Sequence, residues 1–157
     1  FDSDPQVGVF RLWKVRILDA QEIYCIAYVR AVQKHQYSLD THWLLADAEY
    51  APKVFATSVI PGNWLLVYME CLDNYLMLSC ITINLNNQER DDLKKKIEIV
   101  VKYLYDSEHV HGDLCEGNIL VRQLENNEFD VKLIDFEWSG KVDSARYSHF
   151  MNHVSIK

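Results

Sequence analysis

The chain has 157 residues, of which 49% are hydrophobic, 12% aromatic and 25% charged, enough for one sizeable core and hardly for two domains. Five Gly and three Pro exclude collagen-like or low-complexity material, and the longest apolar runs, such as Trp64 to Met69, are too short to span a bilayer. The net charge of −7, from 16 Lys plus Arg against 23 Asp plus Glu, repels phosphodiester backbones and anionic lipid, so neither nucleic acid nor membrane is an expected partner.

No basic segment followed by an apolar stretch opens the chain, so no signal peptide is expected. The first residue is Phe1 rather than Met, which leads us to expect that residues upstream were lost or cut. Cys25, Cys71, Cys80 and Cys115 form no C-x-x-C pair. Scattered in apolar context, they suit reduced, buried thiols of an intracellular protein, cytoplasmic or nuclear. His109 and His111 are only two apart, and no cysteine pair stands at finger spacing, so a zinc site is not expected.

In chain order, Phe10 to Ile17 and Glu22 to Val29 read as a strand hairpin, rich in β-branched and aromatic residues, around the turn Leu18-Asp19-Ala20-Gln21. Ser38 to Ala48 reads as a helix ended by Pro52. Lys53 to Ser58 and Trp64 to Met69 read as strands around Ile60-Pro61-Gly62-Asn63. Glu89 to Asp106 opens with acids and puts Leu93, Ile97, Val100, Val101 and Leu104 on one helical face. Two short strands follow, Ile119 to Arg122 and Phe129 to Ile134, joined across Glu125-Asn126-Asn127-Glu128. The last twenty residues carry no assignable pattern. The order of elements predicts an α+β fold.

Chemistry concentrates between the long helix and the last hairpin. His111-Gly112-Asp113-Leu114-Cys115-Glu116-Gly117-Asn118 is H-x-D-x-x-x-x-N, and Asp135-Phe136-Glu137 follows the hairpin as D-F-x. Phosphoryl transfer needs a group that orients and deprotonates the acceptor hydroxyl, and metal to neutralise the phosphates. Asp113 suits the base. Asn118 offers a neutral oxygen and Asp135 an anionic one to Mg²⁺, a hard cation that takes oxygen ligands. The hairpin returns Asp135 beside Asn118.

These segments resemble the catalytic loop and metal-binding segment of the protein-kinase superfamily. His-Gly-Asp-Leu, with Asp-Phe-Glu-Trp-Ser-Gly later, is similar to the aminoglycoside and choline phosphotransferases. It also resembles a fungal protein-kinase-like branch, with Ala51-Pro52-Lys53 and Gly140-Lys141 followed by Arg146-Tyr147 as further likenesses. The resemblance implies a bilobal kinase-like domain over 1–157: a small antiparallel-sheet lobe (1–70) and a truncated helical large lobe (71–157). It implies ATP and Mg²⁺ as cofactors, phosphoryl transfer to a protein or small-alcohol hydroxyl, and His111, Asp113, Asn118 and Asp135 as catalytic residues. Leu66 to Asp73 looks like the last small-lobe strand and the hinge. Glu70 and Leu72 would offer backbone groups to adenine, and Asp73 would approach the ribose. Gly8-Val9-Phe10 could be the tail of a phosphate loop.

The departures from that pattern carry their own expectations. Ala27 stands where the resemblance places the phosphate-gripping lysine. If Ile17 opposes Glu22, Lys14 faces Cys25 on the pleat face of Ala27 and can replace it, as in kinases of the with-no-lysine type. Glu137 replaces a glycine and is placed to join the metal shell with Asn118 and Asp135. Gly112 replaces the arginine that pairs with a phosphorylated loop, so such regulation is expected to be absent. Cys115 replaces a lysine. Asp40 and Asp47 are the candidates for the helix acid. The chain stops about twenty residues after Asp135, before the remaining large-lobe helices, which leaves apolar surface for a covering protein partner or a second copy. The alternative function is a pseudokinase, a nucleotide-binding or interaction module without useful catalysis.

Overall fold

The computed structural model describes residues 12–18, 24–81, 85–126 and 128–143. The expectations placed on Gly8-Val9-Phe10, on residues 19–21 of the first turn and on Arg146-Tyr147 lie outside the described residues. Strands β1 (Leu12–Leu18), β2 (Tyr24–Gln33), β3 (Val54–Ile60) and β4 (Trp64–Glu70) form an antiparallel sheet in the order β1-β2-β4-β3. Helix α1 (Leu39–Asp47) joins its two hairpins. At the β3–β4 turn, Gly62 and Asn63 take φ of 82° and 59°, the left-handed region that these residue types enter most readily.

Then come β5 (Leu76–Met77), the short helix α2 (Leu78–Ile81), the long helix α3 (Asn87–Asp106), β6 (His109–Val110) and a 3₁₀ turn over Glu116–Asn118. Strands β7 (Ile119–Gln123) and β8 (Phe129–Leu133) pair with β5 in a second sheet, and β9 (Gly140–Lys141) pairs with β6. The first half is thus an antiparallel sheet with one helix, and the second half is built on the long helix α3 and a smaller sheet.

Helix α1 starts at Ser38, whose side chain accepts from the Thr41 amide, and it turns Thr41, His42, Leu45 and Ala46 inward. Helix α3 starts with a reciprocal capping box between Asn86 and Glu89 and buries Leu93, Val100 and Leu104. Val101, expected on that face, is exposed, because at 100° per residue it stands just over a quarter of a turn from Val100. The core is continuous from Val32, Leu65 and Val67 of the first sheet, through Leu45 of α1, to α3 and Val121 and Val131 of the second sheet.

Two corrections follow. The register of the first hairpin pairs Ile17 with Cys25, Val15 with Ala27 and Lys14 with Tyr28, not Ile17 with Glu22. The strand ends Leu18 and Tyr24 pair, so the connection is longer than a two-residue turn, and its length shifts every cross-strand partner. The cysteines are free thiols but not core residues: Cys25 and Cys71 are half-buried, and Cys80 and Cys115 are exposed. Cys80 lines the cleft and Cys115 sits in the loop at the 3₁₀ turn.

Candidate active site

A cavity of about 450 Å³ opens between the first sheet and the second, lined by Tyr28 and Arg30 of β2, Met69 of β4, Leu72, Leu120 of β7 and Asp135. Residues alternate across a strand. Tyr28 and Arg30 therefore share one face of β2, and Ala27, fully buried, lies on the other. The cation at the cleft is Arg30, three residues beyond the position assigned from sequence. The Arg30 Nη2 donates to Asp135 at 2.9 Å and to Glu137 at 2.7 Å. Its partners' opposite charges outweigh the burial that disfavours its own.

Lys14 lies on the same face as its pairing partner Tyr28, but it is not among the residues that line the cavity. Its ammonium pairs with Asp73, and the Tyr28 hydroxyl donates to the same carboxylate at 2.7 Å. These two hydrogen bonds, Lys14 first, hold the Asp73 carboxyl well below the usual carboxylate range, and Asp73 in turn raises Lys14. The residue expected at the ribose and the one expected at the phosphates thus satisfy each other.

Glu70 and Leu72 both line the cavity. The Glu70 amide is spent on the Lys53 carbonyl at 2.8 Å and its side chain accepts from the Lys53 amide. The Leu72 carbonyl accepts from the Tyr75 amide at 3.0 Å.

The catalytic-loop residues come together in part. Asn118 Nδ2 donates to the Asp113 carboxylate at 3.0 Å and to its carbonyl at 2.8 Å. The Ile134 amide donates to the Asn118 carbonyl at 3.0 Å, which sets Asp135 next to the loop. Asp113 and Asn118 stand outside the residues that line the cavity. Asp135 has φ of 69°, an uncommon conformation that non-glycine residues adopt at a cost and that concentrates at functional sites. What holds it there is a set of backbone ties on both sides. The Leu133 amide donates to Tyr50, His111 Nε2 donates to the Ile134 carbonyl at 2.9 Å, and the Ser38 amide donates to the Phe136 carbonyl at 3.0 Å.

His111, expected among the catalytic residues, is buried against Phe136 with ring centroids 5.4 Å apart, and burial lowers its pKa. Phe136 is also stacked on His42 at 4.5 Å and met edge-on by Tyr37 at 6.2 Å. His42 Nε2 donates to the Pro52 carbonyl, so Nδ1 accepts from the Tyr37 hydroxyl. Asp40 and Asp47, the candidate helix acids, are exposed.

The donor set fits a hard divalent cation: the Asn118 amide uses its nitrogen on Asp113, which leaves its oxygen, and Asp135 adds a carboxylate. Among the described residues no three His, Cys, Asp or Glu side chains converge as a metal cluster. Glu137, expected in the metal shell, is bonded to Arg30.

Sequence reasoning missed Arg30. It is the lone charged residue between Tyr24 and Gln33. A charge inside an otherwise uncharged strand is the available signal, and the strand expected to end at Val29 continues four residues further, to Gln33.

The chain is protein-kinase-like in sequence and in fold. It is similar to a probable serine/threonine-protein kinase, fnkE, of Dictyostelium discoideum, with 28% identity over 113 residues, 68% of this chain and 9% of that protein. Among solved structures it is similar to the kinase PK-1 of the Cydia pomonella granulovirus, with a TM-score of 0.62 and 15% identity over 83% of this chain. The chain spans 53% of that viral kinase. No protein-family model matches the chain. Among the described residues no helix is long and apolar enough to cross a membrane.

Proposed function

We propose that the chain binds ATP in this cavity and transfers its terminal phosphoryl group to a hydroxyl of a protein or a small alcohol. The observation that carries the reading is the Arg30 guanidinium on the Asp135 carboxylate at the cavity wall. It puts a permanent cation beside the anionic oxygen donor of the D-F-x segment, where charge on phosphate oxygens must be neutralised. Asp113 is the group to take the hydroxyl proton, its carboxylate held by Asn118. Asn118 and Asp135 are the residues to hold Mg²⁺, which when bound neutralises charge on the phosphates. Met69 and Leu72, which line the cavity, would offer apolar walls to a base on either side of the boundary we propose between a small lobe (1–70) and a large lobe (71–157).

A second reading has its own support. Arg30 neutralises Asp135 and Glu137 together, which suits a nucleotide-binding or interaction module without turnover. Thermal shift and transfer assays separate the readings. Binding to the folded state alone adds about 2.7 kcal/mol at a ligand concentration 100 times the Kd, so ATP is expected to raise the melting temperature. Transfer by the parent is expected to fall at least about a hundredfold in Asp113→Ala and Asp135→Ala. A chain that binds ATP and transfers nothing is the second reading. Activity that survives Asp135→Ala overturns the first.

A further inference from the structure

A long cation that lines a ligand cavity contributes most when a fixed carboxylate aims it, because the ordering of its rotamers is then already met before the ligand arrives. Helix α1, the element packed behind the site, turns Thr41, His42, Leu45 and Ala46 inward, and both of its acids are exposed. The carboxylates on Arg30 come instead from the D-F-x segment, and both draw on one nitrogen, Nη2. Glu137 is the closer of the two, at 2.7 Å. The left-handed backbone at Asp135 (φ 69°) brings side chains two residues apart onto that nitrogen.

Resting on the phosphotransfer reading, we propose that Glu137 is the positioning residue of Arg30, in the place of a helix carboxylate, and not a metal ligand. The three side chains are 14% (Arg30), 16% (Asp135) and 31% (Glu137) exposed, so the pair sits where solvent screens it little. With a metal ion on Asp135, Glu137 would keep the guanidinium in place at the cavity wall, beside the phosphates of a bound nucleotide. This division of labour separates two carboxylates that lie side by side: Asp135 serves the metal, and Glu137 serves the arginine.

The test uses the whole chain and two binding measurements that do not require turnover. A fluorescent ATP analogue is titrated in EDTA and again with Mn²⁺, and Mn²⁺ alone is titrated by electron paramagnetic resonance. Glu137→Gln is expected to weaken metal-free nucleotide binding about tenfold, in line with the loss of one charge-assisted hydrogen bond. Arg30→Met should lose at least as much, and the double variant no more than Arg30→Met alone, because the two residues act as one unit. Glu137→Asp, which keeps the charge, is expected to recover part of the loss, while Mn²⁺ affinity without nucleotide is not reduced in Glu137→Gln. Reduced Mn²⁺ affinity with unchanged metal-free nucleotide binding would overturn the proposal, as would losses that simply add in the double variant. A parent chain that binds no nucleotide under either condition overturns the proposed function itself, a failure visible before any variant is made.

Discussion

A β-carbon on residue 112 would lie 2.1 Å from the Trp138 carbonyl oxygen, and the backbone there has φ of 79°. Both facts require glycine. The arginine that the resemblance expects at this position has no room unless the 138 backbone moves, and that backbone is tied in turn by the Ser139 hydroxyl, which donates to the His111 carbonyl at 2.7 Å. Gly112→Ala combines left-handed strain of about 1–2 kcal/mol with a backbone clash of about 1–3 kcal/mol. The expected outcome is a loss of about 3 kcal/mol, read as a lower midpoint in urea unfolding. At the same scale, Lys14 and Asp73 show why a residue type cannot be assigned a role from its position alone. Each is a fitting ligand group, and each is occupied by the other.

Helix α3 owes its start to local chemistry. Asn86 accepts from the Glu89 amide at 3.0 Å while Glu89 accepts from the Asn86 amide at 2.9 Å, so two of the unpaired amides of the first turn are satisfied. Asn86→Ala is expected to cost about 1 kcal/mol, measured by thermal or urea unfolding, with the cleft residues untouched. Helix α1 reads differently. Its Ser38 cap is equally local, but its burial is decided by tertiary contacts, since the inward residues are Thr41 and His42 rather than an acid. On the outer side of α3, Ile99 and Tyr105 are exposed, as is Val142 in the turn after β9.

Across the whole molecule, His42 ties both flanks of α1 to the D-F-x segment: it accepts from Tyr37, donates to the Pro52 carbonyl and stacks on Phe136. Burial, with Arg30 adding to it against the Pro52 hydrogen bond, lowers its pKa to about 4. An unfolded histidine titrates near 6.5, so between these values the unfolded chain binds the extra proton and the folded chain does not. Stability is then full above about pH 6.5 and is lost as the pH falls toward 4, by roughly 3 kcal/mol for this group. Urea unfolding at pH 7 and pH 4.5 is expected to show a larger acid loss in the parent than in His42→Gln, which has no such proton to gain. If the two lose stability equally, His42 does not carry the effect.

Much of this was legible in one dimension. The spacing of Asp113, Asn118 and Asp135, the amphipathic period of α3 and the alternation of the strands are local patterns, and each predicted its element or motif because neighbours in sequence remain neighbours in a helix turn or a hairpin. Short elements such as β5, β6 and β9 carry too few residues for a period and were not predicted. The register of the first hairpin, the pairing of Lys14 with Asp73, the inward turn of His42 and the position of Arg30 depended on contacts between residues far apart in the chain. The sequence by itself determined the kind of chemistry the catalytic segments can support. Only the tertiary structure decided which cation serves the cleft, because strand register and packing, and not residue type, set which side chains share a face.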